Sequence, residues 1–129
     1  MRFEFATATR IIFGRETAKD TGSIVGKMGR RAFVITGRSV ERAQPLIRQL
    51  KSTGMAVTQF SIPEEPTTQL ALAAVEEARR QICDMVIGIG GGSVLDTGKV
   101  VAALLTNSGQ LMDYLEVIGK GQALSLIHI

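Results

Sequence analysis

The chain has 129 residues, 45% of them hydrophobic, which is enough for one domain with an ordinary core and too few for a second full domain. Its formal net charge is +3, and the only basic clusters are the pairs Arg30-Arg31 and Arg79-Arg80. With 5% aromatic residues and no tryptophan, the composition gives no indication of a nucleic-acid surface. We therefore predict that both arginine pairs are solvated helix ends.

A single cysteine, Cys83, leaves no partner for an internal disulfide and fits a reducing compartment. We predict that Cys83 is a small core or boundary residue, because no candidate base for a catalytic thiol stands near it. The amino terminus lacks the apolar core of a signal peptide, and no segment approaches the length of a membrane span. The expected location is therefore the cytoplasm, with no membrane partner.

Short apolar runs alternate with amphipathic stretches along the chain. The first helix is predicted over residues 15–28, although Gly22 and Gly26 weaken it. Ser39 is predicted to cap a second helix, which either kinks at Pro45 or begins near it after one irregular turn. The predicted strands cover residues 3–6, 10–13, 32–36, 55–62 and 85–89.

Thr67 is predicted to begin a third helix after the break at Pro63–Pro66, with an apolar side that runs from Leu70 to Ile82. The last three strands are thus joined by amphipathic helices. Parallel neighbours need such long, right-handed crossovers, so the pattern predicts an α/β fold with a doubly wound parallel sheet, Rossmann-like. The uniformly apolar strand 85–89 is predicted to be central.

Three glycines follow that strand, and Ser93 is predicted to open a helix after them. Amides at a helix start lack intrahelical acceptors and lie at the positive end of the helix dipole, so Gly91, Gly92 and Ser93 could hold a diphosphate. Two common glycine motifs do not fit. The P-loop would need glycine where Ser93 stands, and so would the third position of the dinucleotide fingerprint.

Ser93 and Asp96 also have the spacing of a capping box, in which both side chains would bond the first turn of the helix. Ser93 could cap the helix and touch phosphate with the same local geometry. Lys99, one turn further, either adds positive charge near the phosphates or faces solvent.

The segment Gly90-Gly91-Gly92-Ser93-Val94-Leu95-Asp96-Thr97-Gly98-Lys99 carries the motif G-G-G-S-x-x-D-T-x-K. Here the chain resembles the iron-containing alcohol dehydrogenases, which more often have alanine at the position of Gly98. The supporting segments, in the family's order and spacing, are 10–14, 34–37, 65–67 and 113–116.

The resemblance implies a site for NAD or NADP formed by Gly91, Gly92, Ser93, Val94, Leu95 and Asp96, with Asp96 near the nicotinamide half. Many relatives carry, in place of Gly37, an aspartate that holds the adenosine ribose and repels a 2′-phosphate. Two interpretations of Gly37 and Arg38 stay open. In one, the arginine lets the site tolerate or prefer NADP; in the other, the two residues form an ordinary turn with a solvent-facing arginine. Glu65 replaces a nucleotide-contacting asparagine and is carried over only weakly, since its carboxylate would repel a nearby phosphate.

The resemblance also implies Fe(II), held by one aspartate and three histidines of a separate helical domain, and hydride transfer between the nicotinamide and an alcohol or aldehyde. The sequence has one histidine, His128, which we do not expect to be a ligand. We assign no catalytic or metal-binding residue. The expected organisation is a dinucleotide-binding domain over 1–125, an unmatched tail over 126–129, and a helical metal-binding domain that is lacking.

Three interpretations follow. The first is the amino-terminal part of an iron-dependent alcohol dehydrogenase, inactive alone. The second is a sister enzyme such as glycerol dehydrogenase, maleylacetate reductase or 3-dehydroquinate synthase, although Asp96 to Lys99 argues against the synthase. The third is a stand-alone nucleotide-binding module without catalysis. A fragment would expose apolar surface, which favours self-association and makes a homo-oligomer one of the expected states.

Overall fold

The computed structural model describes residues 12, 14–63 and 65–107. Within them, three parallel strands form one sheet in the order β2-β1-β3: β1 is Arg31–Thr36, β2 is Ala56–Ser61 and β3 is Met85–Ile89. Thr36, the last residue of β1, is level with Ser61 of β2 and Ile89 of β3. The carboxyl ends of the three strands therefore form one edge, and the predicted parallel α/β fold is confirmed.

Four α-helices and two short 3-10 turns connect and cover the strands of the described residues. The helices that lead into β2 and β3 each end only a few residues before that strand begins. The 3-10 turns are Thr17–Asp20 and Val40–Ala43, and the helices are α1 (Thr21–Val25), α2 (Gln44–Ser52), α3 (Thr68–Arg80) and α4 (Gly92–Thr106).

Helices cover both faces of the sheet. Phe33 and Ile35 of β1 point to one face and pack with α3 and α4, while Ala32 and Val34 point to the other and pack with α2. This alternation follows from the period of two in a strand. All five residues from Ala32 to Thr36 are buried, as expected for a strand covered on both sides. The doubly wound arrangement is confirmed.

The helix predicted over residues 15–28 is wrong in length. The chain makes a 3-10 turn and then only the five-residue helix α1, which Gly26 caps. Glycine costs about 1 kcal/mol relative to alanine inside a helix, so Gly22 and Gly26 leave little to sustain a longer one. Gly22 is tolerated because its missing side chain makes room for Gln49: a Cβ there would lie 2.4 Å from the Gln49 side chain.

In the next segment, Ser39 makes no side-chain capping hydrogen bond. A 3-10 turn comes first, and α2 then starts at Gln44 with Pro45 in its first turn. Of the two alternatives for Pro45, the late start after an irregular turn is therefore correct. Proline suits the first turn because its missing N–H would have had no intrahelical acceptor.

Thr67 caps α3 as predicted: its Oγ1 accepts a hydrogen bond from the Leu70 amide at 3.1 Å. The apolar side of α3 is buried through Ala71, Ala74, Val75 and Ala78. Including Ile82 on that side was wrong. The helix ends at Arg80, and Ile82 lies past it with a left-handed backbone (φ 53°) and 74% of its surface exposed.

The position predicted for the strand 85–89 also needs correction. In the described sheet the central strand is β1, and β3 pairs with β1 alone. Both strands are strongly apolar, because helices cover both faces of each, so hydrophobicity did not distinguish the centre from the edge.

The amino-terminal edge of the sheet is closed by the Asp84 carboxylate. It accepts hydrogen bonds from the amides of Arg30 (3.0 and 3.1 Å) and Arg31 (2.9 Å), while Arg31 Nε donates to Gln81 O at 2.9 Å. Arg30-Arg31 is therefore a strand start and not the predicted helix end. Arg79-Arg80 does end a helix, although Arg79 also donates to the Leu104 carbonyl.

Cys83 is half-buried against the apolar cluster on the α3 and α4 face, which confirms it as a boundary residue. Burial raises the pKa of its thiol above the ordinary value, and the opposing effects of a Thr58 hydrogen bond and the Arg31 charge are smaller. The predicted strands 3–6 and 10–13 lie outside the described residues apart from Ile12, as do segment 113–116 and His128.

Candidate functional site

The chain adds strands on both sides of β1, so the direction in which it moves across the sheet reverses between β1 and β3. From β1 the chain crosses through α2, on one face, to β2. It then returns through α3, on the other face, to β3 on the far side of β1. The helices after β1 and β3 thus cover opposite faces. In open α/β sheets a crevice forms at the carboxyl ends of two such strands, and this crevice is where ligands bind.

The glycine turn leads from β3 into α4 at this crevice. Gly91, with an extended backbone, is the residue before the helix. Its carbonyl accepts hydrogen bonds from the amides of Val94 (3.1 Å) and Leu95 (3.2 Å). The amides of Gly92 and Ser93 precede these and have no intrahelical acceptor by helix geometry. A Cβ built on Gly91 or Gly92 would have no described residue packed against it within 4 Å. The space in front of these two glycines is therefore open to a ligand.

Gly90 is glycine for a different reason. A Cβ on Gly90 would lie 2.7 Å from Val94 Cγ2, and its φ of 157° is one that side-chain-bearing residues rarely adopt. Val94 is 3% exposed and also approaches Gly37, where its Cγ2 would lie 3.8 Å from an added Cβ. Val94 is thus a packing residue that holds the first turn of α4 against the end of β1.

The capping box, one of the two roles considered for Ser93 and Asp96, does not form among the described residues. Gly91 takes the capping position, so the helix begins one residue before Ser93, and no side chain caps it. Asp96 instead forms an exposed pair with Lys99 at 3.2 Å, and Ser93 O accepts a hydrogen bond from Thr97 Oγ1 at 2.8 Å. Three glycines let the backbone turn early, which moves Ser93 inside the helix. Leu95, which belongs to the same set of predicted cofactor-binding residues, is 47% exposed.

Arg38 and Glu65 lie at the β1–β2 side of the same edge. Arg38 follows Gly37 directly after β1, and its Nε donates a 2.6 Å hydrogen bond to the carbonyl of Pro63, just after β2. Ser61 Oγ ties the same two strand ends together by donating to Gly37 O at 3.1 Å. Glu65 is exposed in the loop that leads to α3. The structure therefore places Gly37 and Arg38 directly after β1, the strand that pairs with β3, with Arg38 held on the β2 side.

A cavity of about 750 Å³ opens between β3 and α2, within the range of roughly 300–1,000 Å³ that small-molecule sites occupy. Its floor is apolar, formed by Ile87, Ile89 and Leu46. Lys19 and Arg42 bring two cations to it, and the described residues that line it include no acidic side chain. Gly90 joins this cavity to the glycine turn.

Sequence reasoning missed this cavity, and it also missed Thr36. Thr36 is 1% exposed at the end of β1, and its Oγ1 is buried without a hydrogen-bond partner among the described residues. Such an orphaned hydroxyl at the crevice is the kind of polar group that a ligand or a water satisfies. Neither feature has a local sequence signal, because both depend on β1 and β3 being neighbours.

The residues present fit a dinucleotide better than they fit iron. Open amides, glycines without Cβ atoms and adjacent cations are the groups that a diphosphate requires. Among the described residues, no three His, Cys, Asp or Glu side chains come together as metal ligands. We therefore derive no chemical step through a metal.

Comparison with known proteins identifies the family. A family model described as iron-containing alcohol dehydrogenase matches residues 8–129. The chain belongs to the iron-containing alcohol dehydrogenase family. The resemblance carried by the G-G-G-S-x-x-D-T-x-K motif is thereby confirmed, and the region that the model matches includes the glycine turn, the end of β1 and the cavity.

Individual relatives agree with this assignment. Choline dehydrogenase of Bacillus subtilis is 30% identical over 121 residues, which cover 90% of this chain and 30% of that protein. The crystal structure of NADH-dependent butanol dehydrogenase A from Thermotoga maritima matches with a TM-score of 0.78 and 30% identity, over 87% of this chain and 30% of its own.

Sulfoacetaldehyde reductase from Bifidobacterium kashiwanohense, solved in complex with NAD+, shares the fold with a TM-score of 0.77 at 24% identity, over 97% of this chain and 33% of that one. The chain thus spans about 30% of the length of the iron-containing alcohol dehydrogenases that it matches. No helix in the described part of the chain is long and apolar enough to cross a membrane.

Proposed function

We propose that this chain is the dinucleotide-binding part of an NAD(P)-dependent dehydrogenase that interconverts an alcohol and an aldehyde. The observation that carries the proposal is the open glycine turn at the crevice between β1 and β3. Family membership supports the same activity, as do relatives named as alcohol-oxidising or aldehyde-reducing enzymes.

In this proposal the diphosphate lies against the amides of Gly92 and Ser93. The 15-residue helix α4 directs the positive end of its dipole at this position, which favours an anion there. Gly91 and Gly92 allow the phosphate oxygens to approach the backbone closely, because no Cβ intervenes. Val94 fixes the turn by packing against Gly90 and Gly37.

The two nucleoside halves would extend to either side of the diphosphate. One half lies toward Gly37 and Arg38, and the cavity under Gly90, with its apolar floor, offers room for a ring. Asp96, exposed one turn into α4, faces solvent with Lys99 and is a candidate for contact with the nicotinamide half. When bound, the nicotinamide would accept or donate the hydride.

Chemistry in the complete protein would involve groups that the described residues do not supply. We propose residues 1–125 as the nucleotide-binding domain, with the substrate bound between this domain and the rest of the enzyme. A homo-oligomer stays a prediction, and we place the enzyme in the cytoplasm because its one cysteine fits a reducing compartment.

The test is a titration of the purified 129-residue chain with NADH and NADPH, followed by nicotinamide fluorescence, with two variants at one position. Gly92→Ala adds a Cβ that packs against no described residue, and Gly92→Asp adds a carboxylate where the diphosphate would lie. Aspartate is favourable in the first turn of a helix, so neither variant should unfold the chain.

We expect saturable binding by the unmodified chain, weaker binding by Gly92→Ala, and a loss on the order of 100-fold for Gly92→Asp, since the new charge repels the diphosphate. Circular dichroism would verify that all three proteins are equally folded. Failure of the folded, monodisperse chain to bind either nucleotide would contradict the proposal. Equal binding by the two variants would place the nucleotide elsewhere.

A further inference from the structure

We infer that Thr97 is a positioning residue of the nucleotide site: from inside the core, its hydroxyl orients and polarises the Gly92 amide that would face the diphosphate. This inference rests on the proposed function and adds to it a residue that does not itself contact the ligand. Its starting point is a buried hydroxyl. Among the described residues, only Thr36 and Thr97 are both polar and buried, each 1% exposed.

Thr97 lies on the side of α4 that packs on the sheet. The other buried residues of this helix are apolar or glycine, namely Val94, Gly98, Val101, Ala102 and Leu104. A valine at position 97 would have nearly the same shape as threonine and a similar helix propensity, without a polar atom to bury. Packing and helix formation therefore do not explain the hydroxyl.

The hydroxyl makes a hydrogen bond toward the glycine turn. Thr97 Oγ1 donates to the carbonyl of Ser93 at 2.8 Å. By helix geometry that carbonyl already has a donor, the backbone amide of Thr97. The hydroxyl is thus a second donor to one acceptor, and the helix does not need it to satisfy a backbone group.

Two peptide groups carry the effect of this bond to the ligand side. The Ser93 carbonyl shares its peptide group with the Val94 amide, which donates to the Gly91 carbonyl at 3.1 Å. The Gly91 carbonyl in turn shares its peptide group with the Gly92 amide, which has no intrahelical acceptor. Hydrogen bonds in such a chain strengthen one another by about 10–30% per bond. The Gly92 amide is therefore a stronger donor than it would be without the Thr97 hydroxyl.

The same bonds fix the direction of the Gly92 amide. The Gly91 carbonyl accepts a further hydrogen bond, from the Leu95 amide at 3.2 Å. Neither glycine has a side chain that could hold the peptide group between them, so its orientation depends on these hydrogen bonds. Removing the hydroxyl weakens the first bond of the chain and leaves the apolar packing of α4 in place.

The experiment measures NADH binding, NADPH binding and urea unfolding for three variants of the 129-residue chain. Thr97→Val removes the hydroxyl and keeps the shape, whereas Thr97→Ser keeps the hydroxyl and removes a methyl group. Thr53→Val is the matched control, because Thr53 Oγ1 also donates to a helix carbonyl, Leu50 O at 2.7 Å, but at the end of α2 beside the start of β2. The amide proton shift of Gly92, measured by NMR in the free chain, reports polarisation without a ligand.

We expect Thr97→Val to bind both nucleotides about two- to fivefold more weakly, while its urea midpoint stays equal or rises because a buried hydroxyl is lost. Thr97→Ser should keep most of the affinity despite a lower midpoint, since the lost methyl group leaves a small cavity. In the free Thr97→Val chain, the Gly92 amide proton should move upfield, as a less polarised N–H does. Thr53→Val should change neither the affinity nor the Gly92 shift.

The order of stability and the order of affinity should therefore differ, which a purely structural role of Thr97 does not produce. An unchanged affinity or an unchanged Gly92 shift in Thr97→Val would overturn this inference and leave the proposed nucleotide site standing. So would affinities that fall in step with the urea midpoints of the variants. A folded, unmodified chain that binds neither NADH nor NADPH would overturn both.

Discussion

Backbone amides find different partners at the two edges of the sheet, the one formed by the amino-terminal ends of the strands and the one formed by their carboxyl ends. At the amino-terminal edge, the Asp84 carboxylate accepts the amides of Arg30 and Arg31, and Arg31 in turn donates to Gln81 O. At the carboxyl edge, the amides of Gly92 and Ser93 start α4, and no side chain of the described residues caps them. One edge is closed by a residue of the chain, and the other offers the same kind of group to a ligand.

The comparison shows where stability and binding reside in this fold. A carboxylate that accepts hydrogen bonds from otherwise unpaired amides stabilises the fold. The chain has one at the starts of the strands, where no ligand is needed. At the glycine turn an equivalent carboxylate would occupy the position of the diphosphate. If this division is correct, substitutions at one edge should change the free energy of unfolding, and substitutions at the other should change nucleotide affinity.

The largest effect on stability is expected for Asp84→Ala, which leaves the amides of Arg30 and Arg31 without their acceptor. We expect the free energy of unfolding in urea to fall by about 1–2 kcal/mol, since water replaces part of what is lost at this exposed position. Asp84→Asn keeps an acceptor oxygen and should lose less. Nucleotide affinity of the folded variants should be unchanged, and a parallel loss of affinity would break the division between the edges.

A smaller effect is expected from the pH dependence of Cys83, which lies beside Asp84 at the same closed edge. Burial raises the pKa of this thiol in the folded chain, so the folded state holds the proton more tightly than the unfolded state does. The resulting stabilisation is complete below the unfolded pKa of about 8.5 and is lost as the pH rises through the folded value.

The measurement is the urea-unfolding free energy of the unmodified chain minus that of Cys83→Ala, followed from pH 7 to about pH 10. This difference should fall above about pH 8.5, and alkylation of Cys83 should be slower in the folded chain than in urea at the same pH. A difference that rises with pH would show that Arg31 and Thr58 outweigh burial.

The smallest effect is expected for Lys99→Gln at the open edge. Its pair with Asp96 is exposed on both sides, so removing it should change the free energy of unfolding by less than about 0.5 kcal/mol. NADPH affinity should change by less than about threefold, because the lysine faces solvent with Asp96. A larger, salt-dependent loss of affinity would instead place Lys99 near the phosphates.

Local chemistry made much of the fold predictable. The apolar run at Ala32, the cap at Thr67 and the glycines after Ile89 each act on residues within one turn, so their effects can be inferred from neighbours in sequence. The errors came where two local signals competed. Ser93 has a good capping side chain, but the glycine two positions before it allowed the helix to start earlier.

The sequence by itself determined the strand–helix alternation, the open glycine turn and, through its motif, the family. The tertiary structure decided the strand order, which puts Gly37 beside that turn, and it also decided the anchoring of Arg38 on Pro63 and the cavity beneath Gly90. The physical reason is the distance along the sequence over which the deciding interactions act. Helix starts and turns depend on residues a few positions apart. Strand order depends on packing between elements whose residues are distant in sequence, as Arg38 and Pro63 are, 25 residues apart.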